Sequence, residues 1–275
     1  MTVLVVPNLQ KNKAVEVTKS VLAVLHACGA KPCMADIHAA QFRDTSACFF
    51  TAAEGYAQCD IVITVGGDGT ILQAAREGLP YNKPLVGVNL GRMGFLATVE
   101  PYELDNLQRL VTGNFRLDER NILQCNAAGG VYTALNDIVV SRTTPLQAMD
   151  IKLFCDHILV SSFFGDGIIV ATPTGSTAYS LSAGGPILDA RIAGMVATPI
   201  CAHSMQSPPM VFSDGRSLRV EIQAADAFLA CDGEKVCSLD KTNNIEVCVS
   251  KQTITLVSFN EADQFAAIDK KLRGR

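Results

Sequence analysis

Asp60-Ile61-Val62-Ile63-Thr64-Val65-Gly66-Gly67-Asp68-Gly69-Thr70-Ile71-Leu72 reads as a buried strand, a glycine loop and the first turn of a helix. Every residue from Ile61 to Val65 is β-branched and the run has no polar face, which suits a strand covered on both sides. Gly66, Gly67 and Gly69 allow backbone angles closed to other residues, and without side chains they let a ligand approach the backbone. A helical pattern runs from Thr70 to Glu77, and Gly78 can close it in the left-handed conformation. A loop that opens a helix points N–H groups and a positive dipole end at its guest, so phosphate is the natural ligand. Asp68 repels phosphate and needs a reason to be there. It could hold a metal, accept a proton from an attacking hydroxyl, or cap the helix through its side chain.

Working outward, Thr2 to Val6 is a strand. Asn12 to Cys28 carries a helical stripe (Ala14, Val17, Val21, Leu22, Val24, Leu25) that ends at Gly29. Lys31 to Met34 reads as a second strand, and a helix is expected within Asp36 to Gln58. Leu85 to Val88 is another buried strand, and Glu103 to Val111 a helix stopped by Gly113. Strands alternating with helices imply a Rossmann-like parallel α/β layer over residues 1–115. Ligands of such sheets sit outside the carboxyl ends of the strands. The second glycine cluster, Gly87 to Leu96, also follows a strand, so the two loops suggest one shared crevice. Phe95 could offer it a flat apolar surface, or could be a core residue.

After Phe115 short β-rich runs follow one another, with turn residues between them and little helix. Residues 116–258 therefore read as an all-β, sandwich-like domain. Residues 259–275 are expected to form a helix returning to the first domain. The exception within the β-rich part is Thr172 to Pro186, whose Thr, Ser and Gly residues can make a loop leading into a short helix. Asn136-Asp137 lies between apolar runs and reads either as a turn or as two polar groups that need partners. Asp166-Gly167 and Asp232-Gly233 are turn-like pairs.

The chain has 275 residues, a net charge of -4 and no basic run, which disfavours a nucleic-acid partner. No apolar stretch approaches the roughly 18–20 residues that span a bilayer, so no membrane partner is expected. The start reads as a first strand, without a secretory signal. Ten cysteines lack metal-ligand spacing and Cys-x-x-Cys pairs. Those in apolar runs, such as Cys125, Cys155, Cys201 and Cys248, read as core residues of a protein in a reducing cytoplasm.

Together these pieces resemble the NAD kinase family, in its bacterial ATP- or polyphosphate-dependent form. The matching residues are Gly66-Gly67-Asp68-Gly69-Thr70, Gly87 to Leu96, Asn136-Asp137, and Asp166 to Tyr179. The first loop is shared with lipid kinases and, in a close variant, with phosphofructokinases. The Thr-Pro-Thr-Gly-Ser-Thr-Ala-Tyr stretch with its upstream Asp-Gly is far more specific.

The resemblance implies a phosphotransferase that moves the terminal phosphate of ATP or polyphosphate to the adenosine 2′-hydroxyl of NAD. Asp68 would orient or deprotonate that hydroxyl, and Gly66, Gly67, Gly69 and Thr70 would cradle donor phosphates. Asp68 and Gly69 would also lie against NAD, with Phe95 near adenine. Asn136 would bond adenine and Asp137 the ribose. Thr174 and Thr177 would line the adenine end, Ala178 and Tyr179 would pack on NAD rings, and Asp166 would meet the nicotinamide amide.

Residues 116–258 would then be the NAD-binding domain. Magnesium or another divalent cation would ride on the donor phosphates, with no protein side chain assigned to it, and the chain would assemble as a homodimer or homotetramer. Asp137 departs from the glutamate usual in the family by one methylene. Phe164 stands where some relatives carry a polar or charged residue. Two other readings compete: a lipid kinase with the same glycine loop, which the polar Thr172 to Ser182 stretch opposes, and a silent dinucleotide sensor, which the intact Asp68 opposes.

Overall fold

The computed structural model describes residues 1–91, 94–97, 99–144, 147–203, 207–224, 226–259 and 268. It divides into two compact units, Met1–Glu119 with Ile254–Arg275, and Arg120–Thr253.

The first unit is a parallel sheet with helices between its strands. In chain order it contains β1 (Thr2–Pro7), α1 (Ala14–Ala27), β2 (Lys31–Ala35), α2 (Ala39–Phe42), β3 (Cys48–Phe50), α3 (Ala52–Gln58), β4 (Ile61–Gly66), α4 (Asp68–Gly78), β5 (Leu85–Asn89) and α5 (Gln108–Thr112). The strand order is β3-β2-β1-β4-β5. Every residue of β4 and β5 is buried, as their unbroken apolar runs require of central strands. The stripe on α1 places Val17, Val21, Leu22 and Leu25 in the core against Val3, Val5, Ile61 and Ile63. A capping box between Thr51 and Glu54 starts α3, satisfying two backbone donors reciprocally.

The chain continues through β6 (Arg116–Ala127), β7 (Gly130–Ala134), β8 (Asp137–Arg142), β9 (Met149–Cys155), β10 (Ile158–Gly165), β11 (Gly167–Ala171), α6 (Tyr179–Ser182), β12 (Gly194–Ile200), β13 (Met210–Ser213), β14 (Ser217–Gln223), β15 (Ala227–Cys231), β16 (Glu234–Leu239) and β17 (Ile245–Ser258). The second unit has an antiparallel sheet in the order β13-β12-β11-β8-β15-β16, and a second with β10-β9-β14-β17, where β6 lies beside β17 and β7. From Ile254 on, β17 belongs to the first unit, where Leu256 pairs with Leu85 in parallel.

Period-two alternation builds the core of this sandwich. Ile168 and Val170 of β11 join Ile138 and Val140 of β8 and Leu218 and Val220 of β14 in one cluster. Ile169 and Ala171, pointing the other way, join Val139, Val196 and Leu188 in another. The α/β and β-sandwich classes read from the sequence are both present.

Three local expectations are corrected. Gly78 is right-handed, and the chain runs on through a 3-10 turn to Asn82, which takes the left-handed conformation at φ 49°. A Cβ on Gly78 would stand 3.1 Å from the Tyr56 ring, so packing explains this glycine. None of Gly66, Gly67 and Gly69 has positive φ, so the loop does not use the angles that only glycine allows. Cys201 is an exposed left-handed residue beyond β12, outside the core. Asp36 to Gln58 contains the expected helix, in α2 and α3, with the strand β3 between them. The expected tail helix over 259–275 lies outside the described residues apart from Phe259 and Ile268.

Candidate active site

In the first unit the register of the parallel sheet brings the two glycine loops together. Gly66 at the end of β4 is paired with Asn89 at the end of β5, and the Leu90 N–H donates to the Gly66 carbonyl at 2.6 Å. Asp68 is the first residue of α4, where the helix dipole favours a carboxylate. Its carboxylate accepts from the backbone N–H of Phe95 at 2.8 Å, Leu96 at 3.2 Å and Ala97 at 3.4 Å. Gly94 is required here, because a Cβ at that position would overlap the Asp68 carboxylate. Asp68 therefore ties the second loop to the start of the helix that follows the first.

The glycines divide by role. A Cβ on Gly66 would collide with the Thr70 side chain, whose hydroxyl accepts from the Asn8 amide at 3.5 Å. Around Gly67 and Gly69 an added Cβ would meet nothing within 4 Å. Their bare backbone leaves space for a ligand. The Phe95 ring is half-buried, intermediate between a platform and a core residue. Among the described residues no group of His, Cys, Asp and Glu is arranged to hold a metal ion.

In the second unit the Thr172–Tyr179 turn is folded onto Asn136. The Thr172 N–H donates to the Asn136 carbonyl at 2.9 Å and the Thr172 hydroxyl to the Leu135 carbonyl at 2.7 Å. Gly175 packs directly on the Asn136 backbone, where a Cβ would lie 2.6 Å from its Cα. The other hydroxyls are used inside the turn: Ser176 donates to the Pro173 carbonyl and Thr177 to the Thr174 carbonyl. Thr174 accepts from the Arg120 guanidinium at 3.3 Å. From Thr172 to Thr177 the turn is buried, and Ala178 and Tyr179 emerge from it, with Tyr179 46% exposed.

Asn136-Asp137 is more than a turn. Asp137 opens β8 and is 5% exposed. Its carboxylate and the Asn136 side-chain amide have no hydrogen-bond partner among the described residues. The backbone beside them is held by Asp232, whose carboxylate accepts from the N–H of Leu135, Asn136 and Asp137 at 2.9, 2.7 and 3.3 Å. Burial, and then the Asp232 carboxylate, push the Asp137 pKa up to about 7.

That shift predicts a pH effect. Unfolded, Asp137 ionises near the ordinary 3.8. Between there and about pH 7 the folded protein holds a proton that the unfolded chain has released. The group's contribution to stability is thus complete below pH 3.8 and lost as pH rises through 7. Asp137→Asn should raise unliganded stability by roughly 2–4 kcal/mol at pH 8, at 1.36 kcal/mol per pKa unit, and by little at pH 4. Denaturant melts at the two pH values check this. An equal effect at both would mean that the carboxylate is solvated.

Asp166 stands apart from this cluster. It precedes β11, whereas Thr172 follows it, a separation of roughly 20 Å at the usual strand rise. Its carboxylate is held in a two-point ion pair by Arg142, at 2.8 and 2.9 Å. The structure thus gathers Gly66, Gly67, Asp68, Gly69, Thr70 and Phe95 in one unit and Asn136, Asp137, Thr174, Thr177, Ala178 and Tyr179 in the other. Sequence reading missed Arg120, Arg142 and the anchoring part played by Asp232, of which only the turn signal of Asp232-Gly233 was visible.

Comparison with known proteins gives a consistent result. Residues 3–115 match the family model for the ATP-NAD kinase N-terminal domain, and residues 135–259 that for the C-terminal domain. The NAD kinase of Caldanaerobacter subterraneus subsp. tengcongensis is 36% identical over 98% of both chains. That of Clostridium perfringens is 39% identical over 78% of this chain and 80% of its own. An NAD kinase from Archaeoglobus fulgidus, solved in complex with ATP, superposes with a TM-score of 0.80 at 26% identity, covering both chains completely. Yeast NADH kinase, solved with NADH, shares the fold with a TM-score of 0.91 at 24% identity over 99% of this chain and 87% of its own. The chain belongs to the NAD kinase family.

Proposed function

We propose that this chain transfers the terminal phosphate of ATP to the 2′-hydroxyl of the adenosine ribose of NAD, giving NADP. The observation that carries the reading is the Asn136-Asp137 pair. A half-buried amide and a buried carboxylate, neither with a hydrogen-bond partner among the described residues, match an adenine edge and a ribose diol. Thr174 and Thr177 line the adenine end, Ala178 and Tyr179 pack on NAD rings, Phe95 lies near adenine, and Asp166, with Arg142, meets the nicotinamide amide. Gly66, Gly67, Gly69 and Thr70 cradle the donor phosphates, and Asp68 with Gly69 contacts NAD.

The 2′-oxygen attacks the terminal phosphorus as the bond to the bridging oxygen breaks and ADP departs. Asp68 takes the hydroxyl proton. The sequence from Tyr56 to Arg76 contains no lysine, so backbone N–H groups and the α4 dipole face the phosphate charge. A divalent cation such as magnesium would be carried by the donor phosphates, with no protein side chain assigned to it, and would neutralise part of their charge; such ions keep waters and need few protein ligands. Polyphosphate is the alternative donor. The NAD-binding part comprises residues 116–258.

Ten free cysteines suit a reducing cytoplasm, and no helix among the described residues is long and apolar enough to cross a membrane. A homodimer or homotetramer is proposed, and the exposed Ile158 and Leu159 of β10, an edge strand, favour association.

Tyr179→Ala should weaken NAD binding by roughly 1–2 kcal/mol through lost ring contact. Unliganded melting should barely change, because the ring is already half exposed. Calorimetry with NAD and a ligand-free melt separate the two effects. A large loss of stability with unchanged affinity would place the ring in the core.

The experiment for the function as a whole is a coupled NADP assay with NAD and NADH against ATP and polyphosphate, each with a divalent cation. NADP from NAD and ATP supports the proposal. Binding of NAD without any phosphorylated product would make the chain a sensor.

A further inference from the structure

We propose that Asp232 is a positioning residue for the adenosine ribose: it sets the backbone of Leu135–Asp137 and, through its charge, the protonation state in which Asp137 meets the ribose diol. The inference rests on the reading of Asn136-Asp137 as the adenosine site. Asp232 follows β15 and opens the hairpin to β16 in the left-handed conformation, with φ 50° at Asp232 and 83° at Gly233. Three successive backbone N–H groups, of Leu135, Asn136 and Asp137, converge on its carboxylate, and its own N–H donates to the Asp137 carbonyl at 3.0 Å. The start of β8 is thereby pinned to the end of β15 beyond the last paired residues, Cys231 and Ile138. On the other side, Thr172 and Gly175 hold the same segment.

The two carboxylates are treated unequally. Asp232 accepts three N–H bonds, which favour its anion. Asp137 accepts none among the described residues and is buried beside that anion, so it is the member of the pair that keeps a proton near neutrality. Among the described residues, Cys125 and Cys237 lie close enough to act on the neighbouring Cys231. Cys231 of β15 is buried, and burial pushes its thiol well above the usual range. Arg120 reaches the adjoining turn through Thr174. β11 presents no titratable side chain. A protonated Asp137 offers the diol one good acceptor, and the ionised form offers two. Binding of NAD should therefore release a proton from Asp137, and affinity should rise with pH until the group is ionised in the free protein.

The test is calorimetric titration of NAD between pH 5.5 and 8.5 for the wild type, Asp232→Asn and Asp232→Glu, with ligand-free melting over the same range. Wild-type affinity should rise by up to about tenfold per pH unit below 7 and level off above it. Asp232→Asn removes the neighbouring charge and one acceptor. Its break should move roughly one unit to lower pH, and its affinity at pH 8 should fall about 3- to 10-fold. Asp232→Glu keeps the charge but shifts the carboxylate by a methylene, so it should keep the break near pH 7 and lose affinity at every pH. A merely structural Asp232 would lower affinity equally at all pH values in both variants, and that outcome overturns the proposal. If the wild type binds no NAD, the functional reading fails, and the melting profiles still decide the tuning. There the stability loss on raising pH must end at lower pH in Asp232→Asn than in wild type, and coincident profiles refute it.

Discussion

Asp68→Asn will lower turnover by roughly 10²–10⁴-fold, the usual range for removing a positioned general base. Asparagine has nearly the same shape but is not neutral to the fold. The carboxylate serves Phe95 with one oxygen and Leu96 and Ala97 with the other. An amide keeps one acceptor and turns its NH2 toward a backbone donor, which costs about 1–2 kcal/mol. Some destabilisation is therefore expected along with the kinetic effect. The two are separated by measuring kcat well below the melting temperature and the dissociation constant for NAD without donor. The prediction is a collapse of kcat with the NAD constant changed by no more than a few fold. If activity falls only in proportion to the unfolded fraction, Asp68 is an anchor of the 94–97 loop and the base lies elsewhere.

Gly175→Ala should cost about 3 kcal/mol, the upper end of the range for overpacking, because the obstacle is backbone and cannot swing away. The new methyl would meet the Asn136 carbonyl carbon and oxygen. For a chain of this size the melting temperature should drop roughly 6–12 °C. The Asn136-Asp137 backbone must shift to make room, so the KM for NAD should rise at least about tenfold while the KM for ATP stays near wild type. Melting curves and two-substrate kinetics check this. A variant with normal stability would mean that the turn relaxes away from Asn136, and a normal KM for NAD would remove the pair from the substrate's path.

The strand, loop and helix around Asp68 were legible because each is encoded locally: a β-branched run, glycines, and a helical stripe within thirteen residues. The alternation of β2 with α1 and of β4 with α4 gave the parallel layer for the same reason. The sandwich was legible from short β-rich runs with turn residues between them; β8 and β11 are apolar on both faces, so alternation along them gave no signal. What could not be read was which glycine answers to which constraint. Gly78 looked like a left-handed cap and is a small residue under Tyr56; Gly94 and Gly175 are empty places against Asp68 and Asn136. Asp232 was legible as a hairpin turn. Its bonds to Leu135, Asn136 and Asp137 cross 95 to 97 positions of sequence, and no local pattern announces them. The raised pKa of Asp137 comes first from its burial and then from the Asp232 carboxylate brought beside it, and neither is announced locally. Cys201 misled because its neighbours are apolar, while the strand before it ends at Ile200.

The most direct measurement is the position of the transferred phosphate. Purified protein is incubated with NAD, ATP and a divalent cation, and the dinucleotide product is examined by phosphorus–proton correlation NMR. The account predicts a new phosphate monoester on C2′ of the adenosine ribose, formed in step with ADP. A phosphate on any other hydroxyl, or ATP consumed without phosphorylated dinucleotide while NAD is bound, would contradict it.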